Sequence, residues 1–484
     1  MSIHRLQGSR LIGRTVALCG AAGATLAGCV VGPAYRAPSP EWSPLHNAPL
    51  VEARQPVHPA PELGSWWNGF RDPLLSRMVE RALAQNLDLA ASKARVDRAR
   101  SMAREAGAQL APPGEFFAQS ARQRQSLDSP LGVLGRNLPG YVRDQNLRDV
   151  GAGASWEPDV FGGLRRGAQA AAADAQAAQA EQLAVRVAVA AETADAYLLI
   201  RGAQARIELA QSQIGADERL LASVRLRLEF GVATDWEVAQ AEALLARAKS
   251  SLPPLRVTLE AQLNRLDVLV GAQPGAVAAD MAAAADIPPI PAIAESQECA
   301  QLLRRRPDIA AAERRLAAAN ARIGVAIAEY YPKVSLSTLL GFESLRADRL
   351  FSEEAFQPVA VAGLRWRLFD FGRVDAEVAA ADAAMAEALA QYRQTVLRAA
   401  EEVENSFMAL VQLEAQSRDL ASEVLALSRA RDKSQAAYLG GAIDLTDVLD
   451  ADRELLVAQD EMARTRADAA RSAVSSFRAL GGGW

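Results

Sequence analysis

The chain has 484 residues, a formal net charge of −5 and three histidines, all of which precede residue 60. This acidic balance disfavours a nucleic-acid partner, because nucleic-acid binding requires a basic face. The main body of the chain, beyond residue 60, therefore has no histidine, and its only cysteine is Cys299. A histidine-activated nucleophile and a His/Cys zinc site are both excluded from it. We therefore expect no enzyme activity, no catalytic residues and no metal site; carboxylate-only catalysis stays open, with no motif in its favour.

The first 28 residues have the pattern of a secretory signal peptide, with positive charges, an apolar run and then small residues. They end in Leu26-Ala27-Gly28-Cys29, which resembles the lipobox of bacterial lipoproteins. That resemblance implies cleavage before Cys29 and a covalent N-acyl and S-diacylglycerol lipid on it, the only non-protein group expected. Val30, rather than aspartate, follows the cysteine, which by analogy favours release to the outer membrane. A chance cysteine at an ordinary cleavage site is the alternative.

Two copies of one unit follow one another along the chain. Leu87-Asp88-Leu89-Ala90-Ala91 matches Pro307-Asp308-Ile309-Ala310-Ala311 at a spacing of 220 residues, whereas Trp156 matches Trp366 at a spacing of 210. The change of spacing predicts a variable loop in the first copy, ten residues longer than in the second, between Pro112 and Trp156. The predicted segments are a signal peptide at 1–28, a lipidated segment at 29–72, a first repeat at 73–275, a Pro-rich linker at 276–300 and a second repeat at 301–484.

Each copy is predicted to be mainly helical. A first helix is expected over 73–110 in one copy and over 303–329 in the other, followed by a short β region and a very long helix. The run 164–230 contains no proline and would span roughly 100 Å as a helix. A helix of that length needs neighbours against which it can bury its apolar stripe.

The β regions alternate between apolar and polar residues, as strands with one apolar face do. The run 334–342 is the clearest case, whereas 115–124 alternates poorly and is assigned as a strand from its place in the repeat. Strands of about ten residues suit a transmembrane barrel, but four of them cannot close one, so an oligomer is implied. Trp156 and Trp366 hold equivalent strand ends, as membrane-interface aromatic residues would. A small soluble sheet packed on the helices is the alternative.

Five short motifs follow one another along the chain: Val31-Gly32-Pro33-Ala34-Tyr35, the run 66–74, Arg306-Pro307-Asp308, Phe369-Asp370-Phe371-Gly372 and the run 479–484. Together and in this order they resemble the outer membrane factors of tripartite efflux systems, of the TolC/OprM type and the NodT-like lipoprotein branch. The resemblance implies a mainly α fold with a small β part, in which a homotrimer forms a twelve-stranded transmembrane barrel and a periplasmic helical barrel. It also implies a periplasmic adaptor and an inner-membrane RND pump as partners, and contact with outer-membrane lipid.

The same resemblance assigns two helical hairpins per chain to the periplasmic tip, where the adaptor binds. Glycine suits the left-handed exit of a helix, so the turns are expected at Gly231-Val232-Ala233-Thr234 and at Gly440-Gly441-Ala442-Ile443. Gly231, Ala233, Gly441 and Ala442 are the predicted adaptor-contacting positions.

Asp447 and Asp450, after the second turn, are similar to the aspartates that line the constricted tip in this family. Their i, i+3 spacing puts both on one helix face, and threefold symmetry would form a ring of six carboxylates that favours cations, with Arg453 bonding to it. The alternative is helix capping by acidic first-turn residues. Capping explains Asp447 better than Asp450, because the first copy has Glu237 at the position of Asp447 but Gln240 at that of Asp450.

Three functions remain open from the sequence. The motifs favour an outer-membrane exit duct, lipid-anchored and extending into the periplasm, that exports drugs or other small molecules with an RND pump. The alternative partner is an ATP-driven exporter of peptides or proteins. A purely structural spacer is disfavoured by the alternating strands. The sequence lacks a Gly-x-x-x-x-Gly-Lys-Ser/Thr phosphate loop, so the energy is expected to come from another protein.

Overall fold

The computed structural model describes residues 30–38, 45–54, 58–293, 303 and 305–484. The predicted signal peptide, Cys29 and Cys299 lie outside the described residues. Within them no helix has both the length and the apolar character needed to cross a membrane. The helices are α1 (Ala48–Glu52), α2 (Pro73–Gln85), α3 (Leu87–Ala108), α4 (Pro130–Arg136), α5 (Gly163–Glu229), α6 (Asp235–Leu269), α7 (Pro307–Ala328), α8 (Arg373–Leu439) and α9 (Leu445–Ala479), and the strands are β1 (Gly114–Arg124), β2 (Asp144–Trp156), β3 (Lys333–Ser344) and β4 (Phe356–Arg365).

The helix lengths confirm the internal repeat. Both α5 and α8 have 67 residues, both α6 and α9 have 35, and both α3 and α7 have 22. Most of the extra residues of the first copy lie in the loop 125–143, which contains α4, whereas the shorter loop 345–355 joins β3 to β4. The variable loop is therefore where the change of spacing predicts it.

The predicted single helix over 73–110 is wrong, because the chain breaks at Asn86 between α2 and α3. Asn86 has extended backbone angles (φ −62°, ψ 132°). Its side-chain oxygen accepts hydrogen bonds from the Asp88 and Leu89 amides, and its side-chain nitrogen donates to the Leu269 carbonyl. The buried amide thus caps α3 and the end of α6 at once, which periodicity alone does not reveal.

The chain forms two compact units, and each unit draws on both repeats. The first contains the sheet and the helix segments next to it. The second contains the N-terminal helices α1 and α2 and most of the long helical hairpins. The first unit is formed by the described residues of 1–38, 97–176 and 313–390, and the second by those of 39–96, 177–312 and 391–484.

In the first unit the four strands form an antiparallel sheet in the order β1-β2-β3-β4. The register places Phe116 opposite Ala152, Ala152 opposite Leu340, and Leu340 opposite Pro358. These residues form one apolar row, as the alternation predicts. Phe116 is 74% exposed, so this apolar face has no cover among the described residues. The weakly patterned first strand is confirmed as β1.

The core of the second unit explains the aromatic motif at 66–74. Trp66 stacks on Phe477 of α9 with ring centroids 5.3 Å apart and planes 8° apart. Asp72 caps α2 by accepting from the Leu74 and Leu75 amides, and it also accepts a 2.5 Å hydrogen bond from the buried Tyr197 hydroxyl. Burial of Tyr197, together with the hydrogen bond to Asp72, raises the pKa of its hydroxyl. The motif therefore ties the segment before α2 to α5 and α9.

Candidate functional site

The two hairpin turns have the same backbone geometry. Gly231 and Gly441 adopt φ values of 71° and 73°, the left-handed region that glycine occupies without strain. The Val232 amide donates to the Arg227 carbonyl at 2.8 Å, and the Ala442 amide donates to the Ala437 carbonyl at 2.9 Å. These bonds satisfy the last carbonyls of α5 and α8, so both predicted glycine turns are present.

A buried apolar cluster lies beneath the two turns, and we refer to it as the tip cluster. Ala233 belongs to it and is only 8% exposed, whereas Trp236 beside it is 70% exposed. The exposed side chains of the first turn are therefore not that of Ala233 but those of Phe230, Val232 and Trp236. Gly231, Gly441 and Ala442 are exposed as expected. The tip cluster consists of Leu220, Leu221, Val224, Ala233, Ala241, Tyr438, Leu445 and Val448.

The helices that follow the turns begin differently. Before α6, the Thr234 hydroxyl accepts from the Glu237 amide at 3.3 Å, and the Glu237 carboxylate accepts from the Thr234 amide at 2.7 Å, which completes a capping box. Before α9, Asp444 makes no side-chain capping bond. In the part of the chain that the structure describes, the exposed Asp447 carboxylate has neither a hydrogen bond nor an ion pair. Asp447 therefore does not perform the capping role that Glu237 has.

Asp450 and Arg453 form an ion pair within α9. The Arg453 Nη2 atom lies 3.0 Å from the Asp450 Oδ1 atom, and both side chains are more than half exposed. An exposed pair of this kind contributes less than about 1 kcal/mol. Arg453 thus orients Asp450 along its own helix, and among the described residues of one chain it has no bond to another helix.

A contact between the two hairpins was not predicted from the sequence. The Arg227 guanidinium of α5 lies 4.5 Å from the ring centroid of Tyr438 of α8, and the Tyr438 hydroxyl donates to the Glu237 carboxylate of α6 at 3.4 Å. Burial of Tyr438, reinforced by the Glu237 charge, raises the pKa of its hydroxyl. The available signal was a departure from the repeat, since the first copy has Leu228 at the place of Tyr438.

The two strand-end tryptophans make equivalent hydrogen bonds. The Trp156 indole nitrogen donates to the Leu110 carbonyl at 3.0 Å, and the Trp366 indole nitrogen donates to the Tyr330 carbonyl at 2.9 Å. Each bond fixes the indole against the residues that precede the neighbouring strand. Both rings are at least partly exposed, as an aromatic side chain at a membrane interface would be.

The segment directly after Cys29 is fastened to the first unit. The Val31 amide donates to the Phe161 carbonyl at 3.1 Å, and the Arg166 guanidinium donates to the Val31 and Gly32 carbonyls at 3.0 Å each. Asn320 adds a bond to the Pro33 carbonyl. This segment therefore begins beside the connection that follows β2.

Known proteins resemble this chain over nearly its full length. Residues 78–272 and 299–482 match the outer membrane efflux protein family. The pyoverdine export outer membrane protein OpmQ of Pseudomonas putida is 32% identical over 419 residues, which cover 87% of this chain and 88% of that protein. Nodulation protein T of Rhizobium leguminosarum bv. trifolii is 28% identical over 463 residues, 95% of each chain. The outer-membrane channel OprN has a TM-score of 0.86 at 32% identity, covering 94% of this chain and 100% of that one.

Proposed function

Because this chain belongs to the outer membrane efflux protein family, whose members are channels and not enzymes, we propose that it is the exit duct of a tripartite system that exports small molecules. Its partners would be a periplasmic adaptor and an inner-membrane RND pump. The observation that carries this proposal is the similarity, over 87% of the chain, to the pyoverdine export outer membrane protein OpmQ.

The sheet supports a homotrimeric assembly. Among the described residues, β1 and β4 each have one edge without a partner strand, and unpaired edges demand partners. Three copies of the sheet would close on one another as a twelve-stranded barrel. The apolar row through Phe116 and Leu340 would then face lipid, with Trp156 and Trp366 at a membrane interface.

Acylation of Cys29 would anchor the chain to the outer membrane, because several acyl chains together hold a protein firmly. The Arg166 and Phe161 bonds to residues 31 and 32 would keep that anchor beside the end of β2. Mass measurement of the purified chain tests this step. We expect cleavage before Cys29 and the added mass of the lipid, and loss of both in Cys29→Ser.

Asp447 and Asp450 would form the gate. Both carboxylates are exposed on α9 and neither caps the helix, so three copies can bring six of them around one axis. Arg453 would hold Asp450 in place through the 3.0 Å ion pair. Such a ring attracts cations and repels anions.

Single-channel recording in planar bilayers tests the gate. The variant Asp447→Ala/Asp450→Ala should raise conductance and lose preference for cations. The matched control is Asp235→Ala, which removes one carboxylate from the first turn of α6 and should leave both quantities unchanged. Unchanged conductance in the double variant would falsify the gate.

Photo-crosslinking in cells tests the partners. Gly231, Ala233, Gly441 and Ala442 mark the predicted contact positions, and the exposed Val232 and Ala442 are the best places for a photoreactive residue. Val257, an exposed position of α6 outside the turns, is the control. We expect capture of an adaptor that serves a proton-driven pump. Capture of an adaptor that serves an ATP-driven exporter instead would redirect the proposal to peptide or protein secretion.

A further inference from the structure

Two aspartates are buried where α5 packs against α9. Asp217 of α5 is 1% exposed and Asp452 of α9 is 7% exposed. Ion pairs join the same two helices further along, between Arg206 and Asp460 at 2.7 Å and between Asp195 and Arg471 at 2.7 Å. The aspartate pair thus brings like charges to an interface that elsewhere joins opposite ones.

Neither carboxylate is fully satisfied. Asp217 Oδ1 accepts from the Gln213 side chain at 2.8 Å. Asp217 Oδ2 and Asp452 Oδ1 are both buried, and neither has a hydrogen bond to any described residue. Arg431 of α8 is the cation paired with Asp452, and its Nη1 atom lies 3.8 Å from the Asp452 Oδ1 atom. Arg431 Nε also lies 3.0 Å from Asp432, which divides its charge between two carboxylates. A buried anion without donors is costly, and taking up a proton relieves that cost.

Several charged groups on the same helices are paired with other partners. From α6, Lys249 lies 2.9 Å from Glu218 and Glu242 lies 2.7 Å from Arg225. On α9 itself, Arg453 is paired with Asp450. Burial raises the pKa of Asp217 from 3.8 to about 6, and the charge of Asp452 adds to this rise. Burial also raises the pKa of Asp452, while Arg431 opposes the rise and Asp432 adds to it.

The position of Asp452 connects this pair to the gate. Asp450 and Arg453 flank it in the sequence and are exposed, whereas the Asp452 side chain is buried. A movement of α9 that widens the carboxylate ring must therefore also alter the packing of Asp452 near Asp217.

We propose that Asp217 and Asp452 form a proton-operated latch between α5 and α9, which rests on the gate proposed above. A proton on the pair keeps the two helices packed and the channel closed. When both carboxyls have lost their protons to water, their repulsion favours separation of the helices and an open channel.

The direction of the pH effect follows from linkage. The packed state binds protons more tightly than a state in which the carboxyls are exposed to water. Protonation therefore stabilises the packed helices relative to the separated helices fully below about pH 4, and this stabilisation declines as the pH rises to about 6. A pKa change from 3.8 to about 6 corresponds to roughly a 100-fold change in the ratio of packed to separated helices.

Open probability in planar bilayers between pH 4 and pH 8, measured on the intact trimer, tests the latch. The wild-type channel should open as the pH rises through about 6. The variant Asp217→Asn/Asp452→Asn, which mimics the protonated pair, should lose this step and remain as closed as the wild type at pH 4. Glu218→Gln changes the adjacent, exposed carboxylate and should retain the step. A step of equal size in the double variant overturns the latch.

A second measurement separates the latch from the gate. Hydrogen exchange of the segments 213–221 and 448–456, corrected for the intrinsic pH dependence of exchange, reports the packing of the helices without relying on conductance. Stronger protection at pH 4 than at pH 7.5 in the wild type, absent from the double variant, supports the latch even if Asp447→Ala/Asp450→Ala conducts normally. Identical protection at both pH values in the wild type overturns it. Native mass spectrometry of each variant establishes that the trimer is intact.

Discussion

The two hairpin turns share one backbone and differ in almost every side chain that meets solvent. Gly231 and Gly441 have nearly the same φ angle, and both turns are closed by equivalent amide-to-carbonyl bonds. The first turn is flanked by exposed apolar residues such as Trp236, whereas the second is followed by the exposed Asp447 and Asp450. A glycine and a buried cluster thus suffice for the geometry, and the remaining positions are available for function.

The helix after the second turn, α9, begins without a side-chain capping bond, and its first residue explains why it is still stable. Leu445 occupies the position that Asp235 has in the first copy. Leu445 is 1% exposed in the tip cluster, whereas Asp235 is exposed. Burying a leucine stabilises by about 1.5–3 kcal/mol, which equals or exceeds the roughly 1 kcal/mol of a capping residue. Apolar packing in α9 therefore replaces the hydrogen bonds that begin α6.

The largest expected effect on stability comes from removing the buried Leu445 side chain. Leu445→Ala should destabilise the second hairpin by about 2–5 kcal/mol, because it leaves a cavity in the tip cluster. Asp235→Ala, at the equivalent position, should stay within about 0.5 kcal/mol of the wild type. Hydrogen exchange of the two tips measures both changes. Equal effects of the two substitutions would contradict the view that the helices begin by different means.

Because the two turns share their backbone geometry, we expect substitution of the two glycines to destabilise the protein equally. Gly231→Ala and Gly441→Ala should each cost about 1–2 kcal/mol, because a side chain at positive φ approaches the following carbonyl. At either position an added methyl group would have no described heavy atom within 4 Å apart from its chain neighbours, so backbone strain is the expected cause. Thermal unfolding of the two variants measures the cost. A difference of more than about 1 kcal/mol between them would mean that the turns are not equivalent.

Periodicity and the repeat predicted most of the fold. The faces of β3 and β4 and the long helices follow from residue spacing, because burial imposes the period. The repeat was needed for β1, whose residues alternate poorly and which was assigned as a strand from the equivalent strand of the second copy. The break at Asn86 was missed because its capping partners include Leu269, which lies 183 residues away. Such tertiary hydrogen bonds leave no local pattern.

The candidate site was predicted only in part. The i, i+3 spacing predicts that Asp447 and Asp450 share one face of α9. Burial of Ala233 could not be predicted in this way, because it depends on the packing of both hairpins in the tip cluster. The contact of Tyr438 with Arg227 and Glu237 joins residues 211 and 201 positions apart. No single helix face contains that information, and the departure from the repeat at Tyr438 marks the position without identifying its partners.

A smaller effect is expected from removing the cap that only the first turn has. Thr234→Ala should destabilise the start of α6 by about 1 kcal/mol, because the Glu237 amide loses its acceptor. Asp444→Ala, at the equivalent position before α9, should have a smaller effect, since Asp444 accepts no capping bond. Exchange rates of the amides in the first turn of each helix measure the difference. A larger loss from Asp444→Ala than from Thr234→Ala would show that the second helix is capped after all.

The smallest expected effect concerns the contact that joins the two turns. Tyr438→Phe should cost about 0.5 kcal/mol, the low end for a neutral hydrogen bond, because its bond to Glu237 is long at 3.4 Å. The ring beneath the Arg227 guanidinium remains in this variant, so most of the packing is kept. A double-mutant cycle with Glu237→Gln isolates the bond from the capping role of Glu237. A coupling energy near zero, measured by exchange at both tips, would leave the two hairpins joined by apolar packing and the guanidinium–ring contact alone.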